Sequence, residues 1–326
     1  MIRTLALALT LAGPVAAAVP EVVNEHAMPG FQAFSRATSA LADAAAADCT
    51  PAALDDSYNA AFDAWLGVAH LQLGPTEAVT HSIAFWPDKR GFVGKTLAGM
   101  IADQDPVADD VGGYAEVSAA ARGFFALEAM LFDPAFDGYE TGSYSCRLVQ
   151  TIAADLARTA TRLETGWAGG FADTLLSAGA DNNPVYLSKD EALRALYTQL
   201  MAGLEFNAET RLGRPLGTFE RPRPTRAEAW RSGRPLRNVE LSLKALHGLA
   251  RTLANGPTPE TDAAFAAAAD VTANIEDPTF QTIEDPQERL HVEILQQRIQ
   301  AIRAAVSDEI GDPLGVAAGF NSGDGD

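Results

Sequence analysis

Apolar residues recur at intervals of three and four along most of this chain, the spacing that carries one side of an α-helix into a core. Val149, Ile152, Leu156 and Leu163 form one stripe, and Leu193, Leu196, Leu200 and Leu204 a second. Val239, Leu243, Leu246, Ala250 and Leu253 form a third, and Leu295, Ile299, Ile302, Val306 and Ile310 a fourth. Ser188-Lys189-Asp190-Glu191 has the form of a capping box, and Asn255-Gly256-Pro257-Thr258-Pro259 ends one helix and starts the next. The pattern predicts an all-α protein. Its length exceeds one comfortable helical core, so two helical-bundle domains packed around a central cleft are expected. The predicted division is an N-terminal bundle over 19–210, an irregular seam over 211–238 and C-terminal helices over 239–326.

One interval breaks the polar-outside rule. Val117, Ala121, Phe124, Leu127 and Leu131 keep the helical spacing, yet Glu128 sits among them on the apolar face. An ionised acid buried there is costly without a partner, so Glu128 is the first candidate for a functional group.

The chain opens with Arg3, an apolar run from Leu5 to Ala12, Pro14 and Ala16-Ala17-Ala18, which predicts a secretory signal peptide over 1–18 with cleavage near Ala18. That run is far shorter than the roughly 20 residues that span a bilayer, and no later segment is apolar enough. A periplasmic or secreted protein is expected. Cys49 and Cys146 are the only cysteines, and in an exported chain an even pair predicts a disulfide. The formal charge of −19 at pH 7 argues against nucleic acid and anionic membranes as partners.

Basic charge is concentrated in one place. Eight of the 24 basic residues, Arg211, Arg214, Arg221, Arg223, Arg226, Arg231, Arg234 and Arg237, fall within 211–237, broken by four prolines. Guanidinium forks on extended backbone suit a clamp for an anionic ligand or for Glu128, and equally a strap that neutralises acidic helix faces. Upstream, Glu77 and His81 stand four apart, the spacing at which two side chains on one helix hold a metal ion, although a surface pair explains them as well. Glu240, Lys244, His247 and Arg251 read as a self-paired solvated face, and His291 as a packing residue. No His-Glu-x-x-His helix and no Gly-x-Ser-x-Gly elbow occurs.

Four separated landmarks carry a resemblance. Gly123-Phe124-Phe125-Ala126-Leu127-Glu128 looks like the Gly-x-His-x-x-Glu signature of the imelysin family, with Phe125 in the histidine's place. Ile83-Ala84-Phe85-Trp86-Pro87, Trp230 to Asn238 and the ending Ala318 to Asp326 are also similar to imelysins, over a region of about 25–310 and the close of the chain. The resemblance implies an all-helical envelope protein with a cleft between two halves, tied to iron acquisition and historically filed among peptidases. It brings Arg231 and Arg237 forward as cleft residues. The ligand-binding set read from the sequence is Glu128, Arg122, Trp86, Arg90, Arg231 and Arg237, and the metal set is Glu128, His81 and Glu77. No catalytic residue is assigned, because a carboxylate without its nitrogen partner is a poor catalyst of amide hydrolysis. The expectation is a binding protein for a metal ion, a metal chelate or a small charged ligand, with iron or another divalent metal as the cofactor and an envelope uptake complex as the partner. A metal-dependent peptidase and a structural scaffold are the alternatives.

Overall fold

A computed structural model describes residues 18–316. Residues 1–17 of the predicted signal peptide and the ending beyond Val316 that resembles imelysins lie outside the described residues. The longer helices are α1 (Met28–Ala47), α2 (Pro51–Leu66), α3 (Phe92–Asp103), α4 (Gly123–Phe132), α5 (Tyr144–Gly166), α6 (Lys189–Glu205), α7 (Pro235–Leu253), α8 (Pro259–Thr272) and α9 (Pro286–Val306). Among the described residues the only β feature is a single bridge between Thr218 and Arg221. The all-α expectation is met. No described helix is long and apolar enough to cross a membrane.

Local chemistry sets the helix ends. Pro51, Pro235, Pro259 and Pro286 each open a helix where the missing N–H has no intrahelical role. Ser188 Oγ accepts from Glu191 N–H at 3.2 Å, and the Glu191 carboxylate reaches back to Leu187 N–H, one residue earlier than an ideal box. Asp285 caps α9 by accepting from the N–H of Gln287 and Glu288.

The helices pack mainly in two sets. In the first, α1 lies against α2 and α5, and α4 fills the space between α2, α3 and α5. In the second, α6, α7 and α9 pack together and α8 covers α9 and α7. The helix that runs into α1, Ala18–Glu21 followed by the wide π-helical turn Val22–Ala27, rests on α7, and α2 touches α7 as well. One continuous apolar cluster joins both sets. A disulfide between Cys49, just past α1, and Cys146, in the first turn of α5, links positions 97 apart in sequence.

The stripe through Glu128 differs from its prediction. Val117 and Ala121 precede the helix, in a loop and a 3₁₀ turn over Ala119–Ala121, because Arg122 is extended and Gly123 is left-handed at φ +65°. Gly123 is obligatory here: a Cβ would stand 2.1 Å from the carbonyl oxygen of Ile83 and 2.4 Å from that of Ser82. From Gly123 onward α4 is buried on nearly every side, so it is a core helix and not an amphipathic one.

Candidate functional site

Glu128 is 5% exposed and accepts three hydrogen bonds on one oxygen. Oε1 faces the backbone N–H of Arg231 at 3.1 Å, the N–H of Ser232 at 3.2 Å and the Ser232 hydroxyl at 3.1 Å. That hydroxyl also lies 3.0 Å from the Ala229 carbonyl oxygen, and its single proton serves one acceptor at a time. The donors converge because Ala229, buried and left-handed at φ +49°, folds the chain into a tight turn ahead of α7. Such a conformation costs a non-glycine residue about 1 kcal/mol and points to a backbone held for a purpose. Oε2 makes no hydrogen bond among the described residues. Burial raises the Glu128 carboxyl from its ordinary 4.5 to about 7, against the opposing pull of the Ser232 amide and hydroxyl and of Arg231.

The acid borders a cavity of about 420 Å³ between α4, the loop Phe85–Gly91 with the first turn of α3, and the segment Thr225–Arg231. Trp86 and Phe125 form its aromatic wall, with ring centres 6.4 Å apart and nearly parallel planes. Trp230 lines it from the other side, with the Arg231 guanidinium 4.6 Å above its ring. Arg231 Nε also pairs with Asp133 Oδ2 at 2.8 Å. Asp88 lies on the rim and accepts from the N–H groups of Arg90 and Val93; burial works against its charge, but these loop amides hold its carboxyl below the ordinary value. Arg214 and Arg226 complete the polar lining.

Of the residues singled out in the sequence, Glu128, Trp86 and Arg231 come together here, and Phe125 joins them. Arg122 does not. It is buried on the far side of the helix start in a bidentate pair with Asp155, Nε to Oδ2 at 2.8 Å and Nη2 to Oδ1 at 3.1 Å, and its Nη1 donates to Ser82 Oγ and the Ala115 carbonyl. Arg90 is exposed and meets Asp88 through its backbone N–H alone. Arg237 pairs with Asp63 of α2 at the surface, while the fully buried Arg234 ties the same aspartate, Asn59 and Asn238 together under the Phe62 ring. Glu77 and His81 are exposed and share no regular helix: Glu77 closes a 3₁₀ turn, and His81 belongs to the short helix Thr80–Ile83. Neither lines the cavity beside Glu128. Among the described residues no three His, Cys, Asp or Glu side chains converge as a metal cluster.

Other polar centres carried no motif. Arg211 and Glu228 form a buried pair at 2.6 Å, extended by Asn207, Ser242 and Asn238. His26 and His70 meet Nε2 to Nε2 at 2.8 Å, and desolvation lowers both, His26 to about 4. His247 and Arg251 pair with Asp262 of α8 and not within their own helix. Asp155 had the same signal as Glu128, an acid among Ile152, Ala153 and Leu156, and could have been found that way.

An all-helical chain with a buried acid at the edge of an aromatic cavity, fed by an irregular arginine-rich segment, defines a narrow class of protein. The chain belongs to the imelysin family, whose model matches residues 27–306. It is similar in fold to an imelysin-like protein from Psychrobacter arcticum 273-4, with a TM-score of 0.78 and 18% identity over 98% of this chain and 100% of that one. It is also similar to a candidate iron-regulated protein A precursor from Parabacteroides distasonis ATCC 8503, with a TM-score of 0.72 and 15% identity over 92% and 97% of the two chains. At these identities the likeness is one of fold. No curated protein matches in sequence.

Proposed function

We propose that this imelysin is an exported, periplasmic or secreted binding protein connected to iron, which holds a metal ion, a metal chelate or a small charged ligand in the cavity beside Glu128. The two helix sets act as two lobes in this reading, with 211–238 as the seam that closes one wall of the site. One observation carries it: a carboxyl buried at the edge of an open aromatic cavity has one oxygen held by the seam and the other without a hydrogen bond among the described residues. A volume of about 420 Å³ falls within the range of about 300–1,000 Å³ usual for small-molecule sites. The relative described as an iron-regulated protein A precursor supports the link to iron.

Binding is favoured over peptide hydrolysis. Amide cleavage needs an activated nucleophile or a metal-bound water held by several ligands. By the resemblance read from the sequence, Phe125 stands where the family signature carries a histidine, and Asp133, another acid on the cavity wall, is engaged by Arg231.

Calorimetric titration of the purified mature protein with ferrous, ferric and zinc ions and with iron citrate tests the proposal. Heat with at least one of them, lost in Gly94→Phe, which grows a ring into the cavity from α3, is expected. No heat and no thermal shift with any of the four overturns it.

A further inference from the structure

The seam arginines differ in what they face. Arg211 is matched by Glu228, Arg231 by Asp133, and Arg234 and Arg237 by Asp63. Arg214, in the short helix Gly213–Leu216, and Arg226, at the end of the 3₁₀ turn Pro224–Arg226, line the cavity and form no ion pair among the described residues. Arg214 Nε is buried with no hydrogen-bond partner, and the guanidinium lies 5.8 Å from the Trp86 ring centre. Burial first, and the charge of Arg226 second, pull the Arg214 guanidinium below its ordinary value. Two like charges therefore face one another across a partly desolvated space in a chain whose formal charge is −19. A buried donor without an acceptor is costly, more so when it is charged, so an acceptor is the piece missing from this wall.

The cavity's carboxylates do not supply it. Asp88 is held by the amides of its own loop and Asp133 by Arg231. Glu128 Oε1 is held by Arg231 N–H and Ser232. With its carboxyl titrating near 7, Glu128 carries a proton on part of the molecules at neutral pH, and that proton belongs on Oε2, the oxygen with no donor facing it. In that form the acid is a hydrogen-bond donor on the wall of the cavity that the arginines also line.

We infer that Arg214 and Arg226 form an oxyanion subsite, so that the cavity takes its ligand by a carboxylate or phosphate group while Trp86 and Phe125 cover the ligand's flat or apolar part. This deepens the binding reading above and rests on it: any metal arrives already wrapped in oxyanion ligands and not as a bare cation. The guanidinium forks match two oxygens of one carboxylate or phosphate, and protonated Glu128 donates to a third acceptor. The pH signs of the two ligand classes are opposite. A cation competes with the Glu128 proton and binds more tightly as pH rises through about 7, whereas an oxyanion gains a donor and loses a repulsive charge as pH falls through it. The charged and titratable groups that act on Glu128 are Arg231 and Tyr58, and those that share its cavity are Asp88, Asp133, Arg214 and Arg226.

The test is titration of the full mature chain with metal-free citrate and, separately, with inorganic phosphate, followed by calorimetry and tryptophan fluorescence at pH 6 and pH 8. Wild type is expected to bind at least one of them, and the two arms separate a carboxylate from a phosphate source. Each of Arg214→Met and Arg226→Met is expected to weaken binding by about tenfold or more, the size of a lost charge-assisted hydrogen bond. Because Arg226 is exposed, its substitution keeps the test open should Arg214→Met not fold. Wild type binds more tightly at pH 6 than at pH 8 relative to Glu128→Gln, a comparison in which the titration of the anion itself cancels. Bare ferric or zinc ions binding where metal-free anions do not overturns the subsite and leaves the binding reading standing. Anion binding that ignores both arginine substitutions overturns it too. Anion binding that depends on both arginines, with no response to any metal or chelate, upholds the subsite and removes the link to metal. Silence in every titration overturns both.

Discussion

Replacing Glu128 by glutamine separates a site acid from a structural one. A carboxyl held at about 7 against an ordinary 4.5 is worth about 3 kcal/mol between its two protonation states. The folded-state value is the raised one, so between pH 4.5 and 7 the folded chain binds more protons at this position than the unfolded chain. Stability from Glu128 is therefore complete below about 4.5, declines as pH rises, and is gone above about 7. Glutamine has nothing to ionise. Its amide oxygen can accept the same donors from Arg231 and Ser232, and its NH₂ then stands where the protonated oxygen of the acid would. Urea unfolding should find Glu128→Gln close to wild type at pH 5 and more stable at pH 8, by up to about 3 kcal/mol. Only the difference between the two proteins is informative. His26, buried and lowered to about 4, stays neutral in the folded chain while the unfolded chain takes up its proton as pH falls from 6.5 toward 4, which costs both proteins stability in the opposite direction over nearly the same range. A Glu128→Gln protein less stable than wild type at pH 8 would refute the reasoning. The ionised carboxylate would then gain more from Arg231 and the turn amides than it loses to burial, as a structural ion pair does.

Three further substitutions test individual parts of the structure. Arg122→Met strands Asp155, itself 1% exposed, and is expected to cost about 3–5 kcal/mol in urea unfolding while leaving ligand titrations unchanged, since neither residue borders the cavity. Gly123→Ala forces a Cβ to within 2.1 Å of the Ile83 carbonyl oxygen at φ +65° and should cost about 3 kcal/mol or more; a melting temperature within a degree of wild type would show that the loop before Trp86 gives way freely. Phe125→His places an imidazole one turn before Glu128 on the cavity wall and is expected to give a larger zinc-dependent rise in melting temperature than wild type, an increment that a second Glu128→Gln change removes.

Four of the long helices were legible because each keeps one face in the core and one in water. The stripes from Val149, Leu193, Val239 and Leu295 fall in α5, α6, α7 and α9, with Ile310 in the π-helical turn that follows the last. Helix α4 was not legible as built. Buried all round, it has no polar face to set its phase, so a stripe drawn through it continued backward past Gly123 into a loop. Glu128 was found for the same reason that α4 misled: a charge stands out where every neighbour is apolar. Its partners could not be found. The expectation was guanidinium groups, and the contacts are backbone amides of Arg231 and Ser232 with one hydroxyl, groups that every residue or any serine supplies. Which arginine meets which acid was equally hidden, because Asp155 lies 33 positions from Arg122, and Asp63 lies 171 from Arg234. Charge pairing across such separations is set by helix packing and leaves no local spacing to read.

The absence of a histidine at position 125 and the presence of two unmatched arginines on the cavity wall bear on the same question. A nitrogen ligand beside Glu128 would give a cation two donors and a reason to keep the acid ionised. Phe125 instead adds apolar surface, and desolvation then favours the protonated acid. Arg214 and Arg226 complete the inversion, since a bare metal ion entering the cavity would meet two positive groups that no acid among the described residues neutralises. Substituting either arginine alone cannot convert the site to cation binding while Phe125 remains, because Glu128 would still be the sole free ligand. Phe125→His with Arg214→Met and Arg226→Met should do so. Its zinc affinity should rise with pH through about 7, while the citrate affinity of wild type, measured against Glu128→Gln, falls over the same interval. Parallel pH trends for the two ligands would mean that the protonation state of Glu128 does not set the sign of what the cavity accepts.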